Sequence, residues 1–152
     1  MEDLEYKEQF DKLKTKVLKY ILYKKRTENE IRAKFQNEIE ENMFEDIIEY
    51  LKHAKYIDDN EYIKKVVSDF IILKNLSIKE IEYKLLSKGL SKDVIADYVY
   101  SNKEELEEYE IKSIQNILYK KSNLMQQDDI INYLRKKGYK YDNIKKAVDE
   151  EN

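Results

Sequence analysis

The fold is decided by the stretch Ile81-x-x-x-Leu85-x-x-x-Gly89-x-x-x-x-x-Ile95, which returns 49 residues later as Ile130-x-x-x-Leu134-x-x-x-Gly138-x-x-x-x-x-Ile144. Apolar residues four positions apart lie on one face of a helix, and glycine readily adopts the left-handed conformation that closes a helix C-terminus. The stretch therefore predicts a helix that ends at a glycine and a following helix that contains the last isoleucine. Its recurrence predicts a helical repeat.

Two helix starts are marked by capping boxes, Thr27-x-x-Glu30 and Ser77-x-x-Glu80, which lie 50 residues apart. In such a box the hydroxyl accepts from a backbone N–H of the first turn, and the glutamate reaches back to the N–H of the cap residue. The third copy has Met125 or Gln127 at this place, so we expect a less sharply defined helix start there.

Each copy is predicted to contain three helices. The first carries an apolar stripe, such as Leu13, Val17 and Ile21. The second helices are predicted over 28–36, 78–87 and 126–137, and the third over 43–52, 92–100 and 143–149, with Ser91 and Asp142 as N-caps. Helices this short are marginal alone. We therefore predict an all-α fold, an elongated, right- or left-curved array of three tandem three-helix modules.

The modules are predicted over 1–57, which includes an N-terminal helix extension, 58–101 and 102–152. Their joints are expected at 56–60 and 101–108. The second joint is rich in glutamate, including Glu104, Glu108 and Glu110, and is either a connection or the solvated start of a long helix, where acidic residues are favourable.

Composition excludes several classes of protein. The chain has no cysteine and no proline, and only two glycines, which argues against disulfides, thiolate metal sites and a hairpin-rich β fold. No apolar run approaches the roughly 20 residues that cross a bilayer, and the acidic start of the chain is not a secretory signal. We therefore expect a cytoplasmic protein without membrane contact. The formal net charge of −3 means that any contact with DNA is local.

Nothing in the sequence indicates an enzyme. His53 is the only histidine, and no nucleophile, metal cluster or phosphate loop is visible, so we predict no catalytic residue, no metal site and no cofactor. The pair Asp58-Asp59 favours a helix cap over a metal site. Tyrosines could stack on exposed bases, but their helical spacing favours the edge of the core. This applies to Tyr20, Tyr23, Tyr50, Tyr56 and Tyr62.

Clusters of lysine and arginine are the candidate partner-binding residues. Two clusters, at 24–26 and 120–121, follow first helices, as Lys74 does in the middle copy, and a third lies at 135–137. Such residues pair with phosphates or with acidic side chains, although cations near helix C-termini also stabilise the helix dipole. With neighbours on the second helices, the predicted set is Lys24, Lys25, Arg26, Arg32, Lys74, Lys79, Lys84, Lys88, Lys120, Lys121, Arg135, Lys136 and Lys137.

The order of these segments resembles the RecX family of recombinase regulators over about 16–148. The segment Lys25-Arg26-Thr27-Glu28-Asn29-Glu30-Ile31-Arg32-Ala33-Lys34-Phe35 is similar to the family's basic-Ser/Thr-x-x-Glu-Leu-x-x-Lys-Leu segment. Tyr56-Ile57-Asp58-Asp59-Asn60-Glu61-Tyr62 resembles its Asp-Asp turn, although Lys55 stands where that turn usually has glycine. Ser77-Ile78-Lys79-Glu80-Ile81 and Lys88-Gly89-Leu90-Ser91-Lys92-Asp93-Val94-Ile95 continue the likeness.

The resemblance implies a monomeric regulatory protein of homologous recombination, DNA repair and the SOS response. Such a protein binds the RecA–DNA filament and modulates its extension, ATP hydrolysis and strand exchange, with inhibition as the favoured direction. It implies no catalysis and no cofactor, and weak binding of single- or double-stranded DNA is a further expectation. The alternative, which the basic clusters suggest, is a stand-alone helical nucleic-acid-binding module.

Overall fold

The structure of the chain is a computed structural model that describes residues 2–73 and 76–151, with side chains over 3–73 and 76–150. Over the described residues the chain forms nine α-helices and no strand, which confirms the all-α prediction. The helices are α1 (Glu2–Tyr23), α2 (Glu28–Phe35), α3 (Glu41–His53), α4 (Asp59–Leu73), α5 (Ile78–Ser87), α6 (Lys92–Ser101), α7 (Lys103–Lys121), α8 (Gln127–Lys136) and α9 (Tyr141–Glu151).

The described chain divides into two compact units. The N-terminal unit contains 2–62 together with the turn Lys88–Leu90, and the C-terminal unit contains 63–73, 76–87 and 91–151. The turn that follows α5 therefore belongs to the N-terminal unit. The finer division into three modules, over 1–57, 58–101 and 102–152, stays a prediction.

Each unit is built around an apolar core. In the N-terminal unit the predicted stripe of α1 is buried through Val17 and Ile21, and α3 contributes the largest share of apolar side chains. In the C-terminal unit α7, α8 and α9 bury Ile114, Leu134 and Ile144. Full burial of one such side chain stabilises the fold by about 1.5–3 kcal/mol. Because residues four positions apart are buried together, the predicted helical spacing is confirmed.

Local caps determine where most helices begin. Both capping boxes are present: Thr27 Oγ1 accepts from Glu30 N at 3.1 Å and Ser77 Oγ accepts from Glu80 N at 3.1 Å. Ser91 caps α6 as predicted, whereas α8 has Gln126 at its N-cap and no side-chain cap, which agrees with the weaker start expected there.

Two predicted helix starts are wrong. Asp142 is not an N-cap, because α9 begins one residue before it. The helix predicted from residue 43 begins at Glu41, because the Glu40 carboxylate accepts hydrogen bonds from the backbone of Asn42 and Met43. Asn102 alone separates α6 from α7, so the acidic stretch after it is the start of a long helix.

The two glycine turns each lie against the N-cap of an earlier second helix. The Thr27 hydroxyl donates to the Lys88 carbonyl at 3.0 Å, and the Ser77 hydroxyl donates to the Lys137 carbonyl at 2.8 Å. The glycines that follow, Gly89 and Gly138, have φ of 91° and 93°, as the sequence predicted. The same contact thus forms once in each unit, between elements about 60 residues apart in the chain.

A carboxylate from a later helix completes each of these contacts. Asp59 of α4 accepts from Glu28 N at 3.1 Å, and Glu110 of α7 accepts from Ile78 N at 2.7 Å. Glu28 and Ile78 are the first residues of α2 and α5, whose N–H groups have no partner within their own helices. Asp58 accepts from Glu61 N at 3.2 Å near the start of α4, so capping is confirmed for the Asp58-Asp59 pair.

Glu110 corrects a prediction of the sequence analysis. It was placed in a solvated acidic stretch, but its side chain is fully buried, whereas Glu104 and Glu108 are exposed. Besides Ile78 N, it accepts from Lys140 N at 2.8 Å and from the Asn143 side chain at 3.1 Å. Three donors offset the loss of hydration that a buried carboxylate otherwise suffers. Glu110 therefore joins the starts of α5 and α9.

The glycine turns give a prediction on stability. A Cβ at Gly138 would lie 3.1 Å from Lys79 Cβ. The φ of 93° at Gly138 is also unfavourable for any residue other than glycine. Gly138→Ala should lower the free energy of unfolding by about 1–3 kcal/mol, measured by urea denaturation. Lys55, with φ of 67°, is the matched control, because Lys55→Gly should raise that free energy by about 0.5 kcal/mol. Effects of the same sign would contradict this explanation.

Candidate partner-binding surface

The end of α1 presents an aromatic residue beside three cations. Tyr23 is 86% exposed, Lys24 and Lys25 are exposed, and Arg26 is half-buried. The Arg26 guanidinium carbon lies 4.2 Å from the centre of the Tyr20 ring, a cation–π contact. Its Nε is buried and has no hydrogen-bond partner in the structure. Arg26 is therefore fixed by stacking while one of its donors stays unused.

A cavity of about 340 Å³ adjoins this guanidinium. Lys25, Arg26 and Lys55 contribute positive charge to its lining, and Asp58 and Glu61 contribute negative charge. The Lys25 and Lys55 ammonium groups, with the charge of the Arg26 guanidinium, can bind an anionic group such as a phosphate or carboxylate. The two carboxylates already present limit how much negative charge the cavity accepts.

The end of α7 repeats the end of α1. The sequence Ile-Leu-Tyr-Lys-Lys ends α7 at 117–121, and it occurs at 21–25 across the end of α1, which stops at Tyr23. Tyr119 is 79% exposed, Lys120 is exposed, and Lys121 Nζ lies 4.5 Å from the centre of the Tyr133 ring. We call these two pentapeptides the Tyr-Lys-Lys ends. The predicted counterpart in the middle copy, Lys74, lies outside the described residues.

Sequence reasoning missed the exposure of these tyrosines. It predicted core-edge positions, which is correct for the buried Tyr62 and the half-buried Tyr20, but wrong for Tyr23. Tyr50 and Tyr56 lie between these extremes, at about half exposure. The identical pentapeptides were the available signal, because a tyrosine directly before two lysines at a helix end projects with the lysines into solvent.

The glycine turns bring further predicted residues together. In the N-terminal unit, Lys88 is joined through its carbonyl to Thr27, the neighbour of Arg26. In the C-terminal unit, the side chain of Lys79 packs on Gly138, and Lys137 Nζ lies 3.9 Å from Glu80. Arg135 and Lys136 are exposed beside that turn, and the Arg135 guanidinium lies 5.5 Å from the Tyr141 ring centre.

The remaining candidates lie on the second helices or directly after them. Lys79, Lys84 and Lys88 are exposed, and Lys84 Nζ lies 5.9 Å from the Phe70 ring centre. Arg32 is bound instead within the N-terminal unit: it makes two hydrogen bonds to Glu45, at 2.5 and 3.0 Å, and one to Glu28 at 2.9 Å. The Glu45 hydrogen bonds raise the pKa of Arg32 further above its ordinary value.

Glu28 is the carboxylate at the centre of this ion-pair network. Partial burial acts to raise its pKa, but hydrogen bonds from Lys52 and Arg32 outweigh burial and hold the pKa below its ordinary value of 4.5. The folded protein therefore favours the charged form of Glu28. Arg32 stabilises the fold through its ion pairs with Glu28 and Glu45.

Other kinds of site find little support in the described part of the chain. There, no three histidine, cysteine or acidic side chains come together as a metal site would require. His53 is the last residue of α3, as expected of a helix-end residue. None of the described helices has the length and apolar character to span a bilayer.

The ion-pair network gives a prediction that separates folding from binding. Arg32→Ala should lower the free energy of unfolding at pH 7 by about 0.5–1 kcal/mol, the range of partly exposed pairs. Since the pKa of Glu28 is lowered on folding, this contribution should be present above pH 4.5 and lost as the pH falls through the folded-state pKa. Urea denaturation at pH 7 and at acid pH measures it. Lys24→Ala, at an exposed residue, should have no effect at either pH; an equal effect would refute the assignment.

Known proteins resemble this chain in sequence and in fold. No protein-family model matches the chain. Among curated proteins, the chain is 28% identical to the regulatory protein RecX of Staphylococcus carnosus over 97% of its own length and 57% of that protein. It is 33% identical to the regulatory protein RecX of Clostridium botulinum strain Eklund 17B, over 82% of its own length and 61% of that protein. The chain thus spans little more than half the length of these relatives.

Solved structures show the same fold. The crystal structure of RecX from Lactobacillus salivarius matches with a TM-score of 0.78 at 23% identity, covering 94% of this chain and 96% of that one. A second crystal structure of a regulatory protein RecX matches with a TM-score of 0.74 at 22% identity, covering 97% of this chain and 75% of that one. The resemblance to the RecX family of regulatory proteins is therefore confirmed, in sequence by the relatives and in fold by these structures.

Proposed function

We propose that the chain binds the RecA–DNA filament and inhibits its extension, ATP hydrolysis and strand exchange, without catalysing a reaction of its own. The observation that carries the proposal is the likeness to proteins named regulatory protein RecX along nearly the whole chain. Because the chain spans little more than half of those relatives, the activity of the complete proteins is carried over here only as a proposal.

The Tyr-Lys-Lys ends support this proposal in physical terms. One lies in each compact unit, and each presents an exposed tyrosine beside two lysines. A filament offers the same acidic side chains and phosphates at every subunit, so a chain that carries the same group twice can bind it at two places. Two linked weak contacts bind far more tightly than either alone.

The alternative, a nucleic-acid-binding module, is favoured by one specific feature of the same residues. Exposed Tyr23 and Tyr119 are suited to stacking on unpaired bases while the adjacent lysines contact phosphates. Binding of this kind would weaken steeply with salt and would need no recombinase. The formal net charge of −3 argues against it as the main function.

The chain is expected to act on the RecA protein of its own organism. On single-stranded DNA with ATP, the chain at substoichiometric ratio should reduce the steady rate of ATP hydrolysis and of filament extension. A Lys24→Glu, Lys120→Glu double variant, which reverses one charge at each Tyr-Lys-Lys end, should need about tenfold more protein for half inhibition. Both lysines are exposed, so the fold should be unaffected.

The matched control is a Lys145→Glu, Lys146→Glu variant, which makes the same change in net charge on exposed residues of α9. It should inhibit as the unaltered chain does. Lack of any effect on RecA would reject the proposal. Tight, strongly salt-dependent binding to DNA alone, with no preference for the filament, would support the alternative.

A further inference from the structure

A second surface, independent of the Tyr-Lys-Lys ends, lies within the C-terminal unit. It is an open groove of about 550 Å³ between α5 and α6. Its apolar lining comes from Leu86 on α5 and from Ile95, Ala96 and Val99 on α6. Tyr83 and Tyr100 flank these residues and are 75% and 83% exposed. The groove thus leaves apolar side chains in contact with water.

Helix α6 has more apolar residues than it buries in the core. Its counterpart α3 buries five residues, whereas α6 buries only Ile95. The other apolar residues of α6 stay in contact with solvent: Ala96 and Tyr100 are exposed, and Val99 is half-exposed. An exposed apolar face of this kind commonly marks a binding site.

Charge at the border of the groove indicates the chemistry of its ligand. Lys79, Lys92, Lys103 and Lys140 line it, against a single carboxylate, Glu82. Lys140 contacts Glu107 at 3.5 Å, while no ion pair within the described residues involves the other three lysines. The acidic residues of α6 itself, Asp93 and Asp97, do not line the groove.

We infer that this groove binds an acidic amphipathic helical segment of a partner protein. The residues 79, 82, 83 and 86 of α5 follow the i, i+3, i+4, i+7 pattern, as do 92, 95, 96 and 99 of α6. Lys92 begins the α6 series, and Lys103, the first residue of α7, lies beyond its other end. A helix with apolar anchors at the same spacing would bury them in the groove, and flanking carboxylates would face the lysines. The exposed rings of Tyr83 and Tyr100 lie at the border of the groove and could stack on bases. The floor between them is aliphatic, which suits the apolar side chains of a helix better than bases.

The inference goes beyond the proposed function and is tested without RecA. The probe is a fluorescein-labelled peptide of about 16 residues, long enough to form a helix, with leucine at i, i+3, i+4 and i+7 and glutamate at most other positions. Fluorescence anisotropy measures its affinity for the full chain, and backbone amide shifts in NMR locate it. Control probes are a scrambled peptide and one with lysine for glutamate.

Two sets of variants test the groove. Ala96→Glu places a negative charge on its floor and should weaken probe binding at least about tenfold, as should Lys92→Glu combined with Lys103→Glu. The matched controls are Ala33→Glu on the exposed side of α2 and Lys145→Glu combined with Lys146→Glu on α9, which should bind as the unaltered chain does. Circular dichroism checks that each variant keeps its helical content.

Each outcome of these binding measurements either supports or overturns the assignment of the groove. Binding of the acidic probe, loss in the groove variants alone and amide shifts confined to α5, α6 and the segments around Lys103 and Lys140 would establish the inference. It is overturned if the acidic probe does not bind, if the scrambled or lysine probe binds equally, or if Ala96→Glu has no more effect than Ala33→Glu. Displacement of the probe by an oligothymidylate, or self-association of the chain through the groove, would also overturn it.

Discussion

The first backbone N–H groups of a helix have no partner within that helix, and in this chain the short helices α2 and α5 begin where the chain is buried. An unpaired buried N–H costs about 1–3 kcal/mol, a large fraction of the 5–15 kcal/mol by which domains are stable. The chain satisfies these groups with residues from later in the sequence: Asp59 for α2 and Glu110 for α5. The cap hydroxyls of Thr27 and Ser77 bind glycine-turn carbonyls at the same places. Helices too short to be stable alone are thereby fixed.

These contacts also position the candidate binding residues. The turn that accepts from Thr27 brings Lys88 beside the segment that carries Arg26, and the turn that accepts from Ser77 brings Lys137 beside α5. Arg32 is bound by Glu28 and Glu45 and so contributes to stability, whereas the tyrosine and the first lysine of each Tyr-Lys-Lys end are exposed. The groove between α5 and α6 is a different kind of surface, apolar with lysines at its border. The cations of the ion-pair network thus differ from the exposed lysines proposed to bind a partner.

Features that depend on local sequence were predicted well. The helix class, both capping boxes, the left-handed glycines and the buried i, i+4 pairs follow from residue types at fixed spacing. Features that depend on which distant residues meet were not predicted. Nothing local distinguishes Glu110 from the exposed glutamates before it, because its burial results from the approach of α5 and α9. Tyr23 was misplaced because helical spacing alone does not show which face of the last turn stays uncovered.

Hydrogen exchange of the Ile78 backbone amide, measured by NMR in the native protein, tests the central claim most directly. Ile78 and Gln127 are each the first residue of a helix, but only the Ile78 amide donates to a buried carboxylate, and α8 has no side-chain cap. The claim predicts that the Ile78 amide is protected nearly as strongly as the interior amide of Leu85, that Gln127 exchanges rapidly, and that Glu110→Ala abolishes the difference. Exchange of Ile78 as fast as that of Gln127 in the unaltered chain would contradict it.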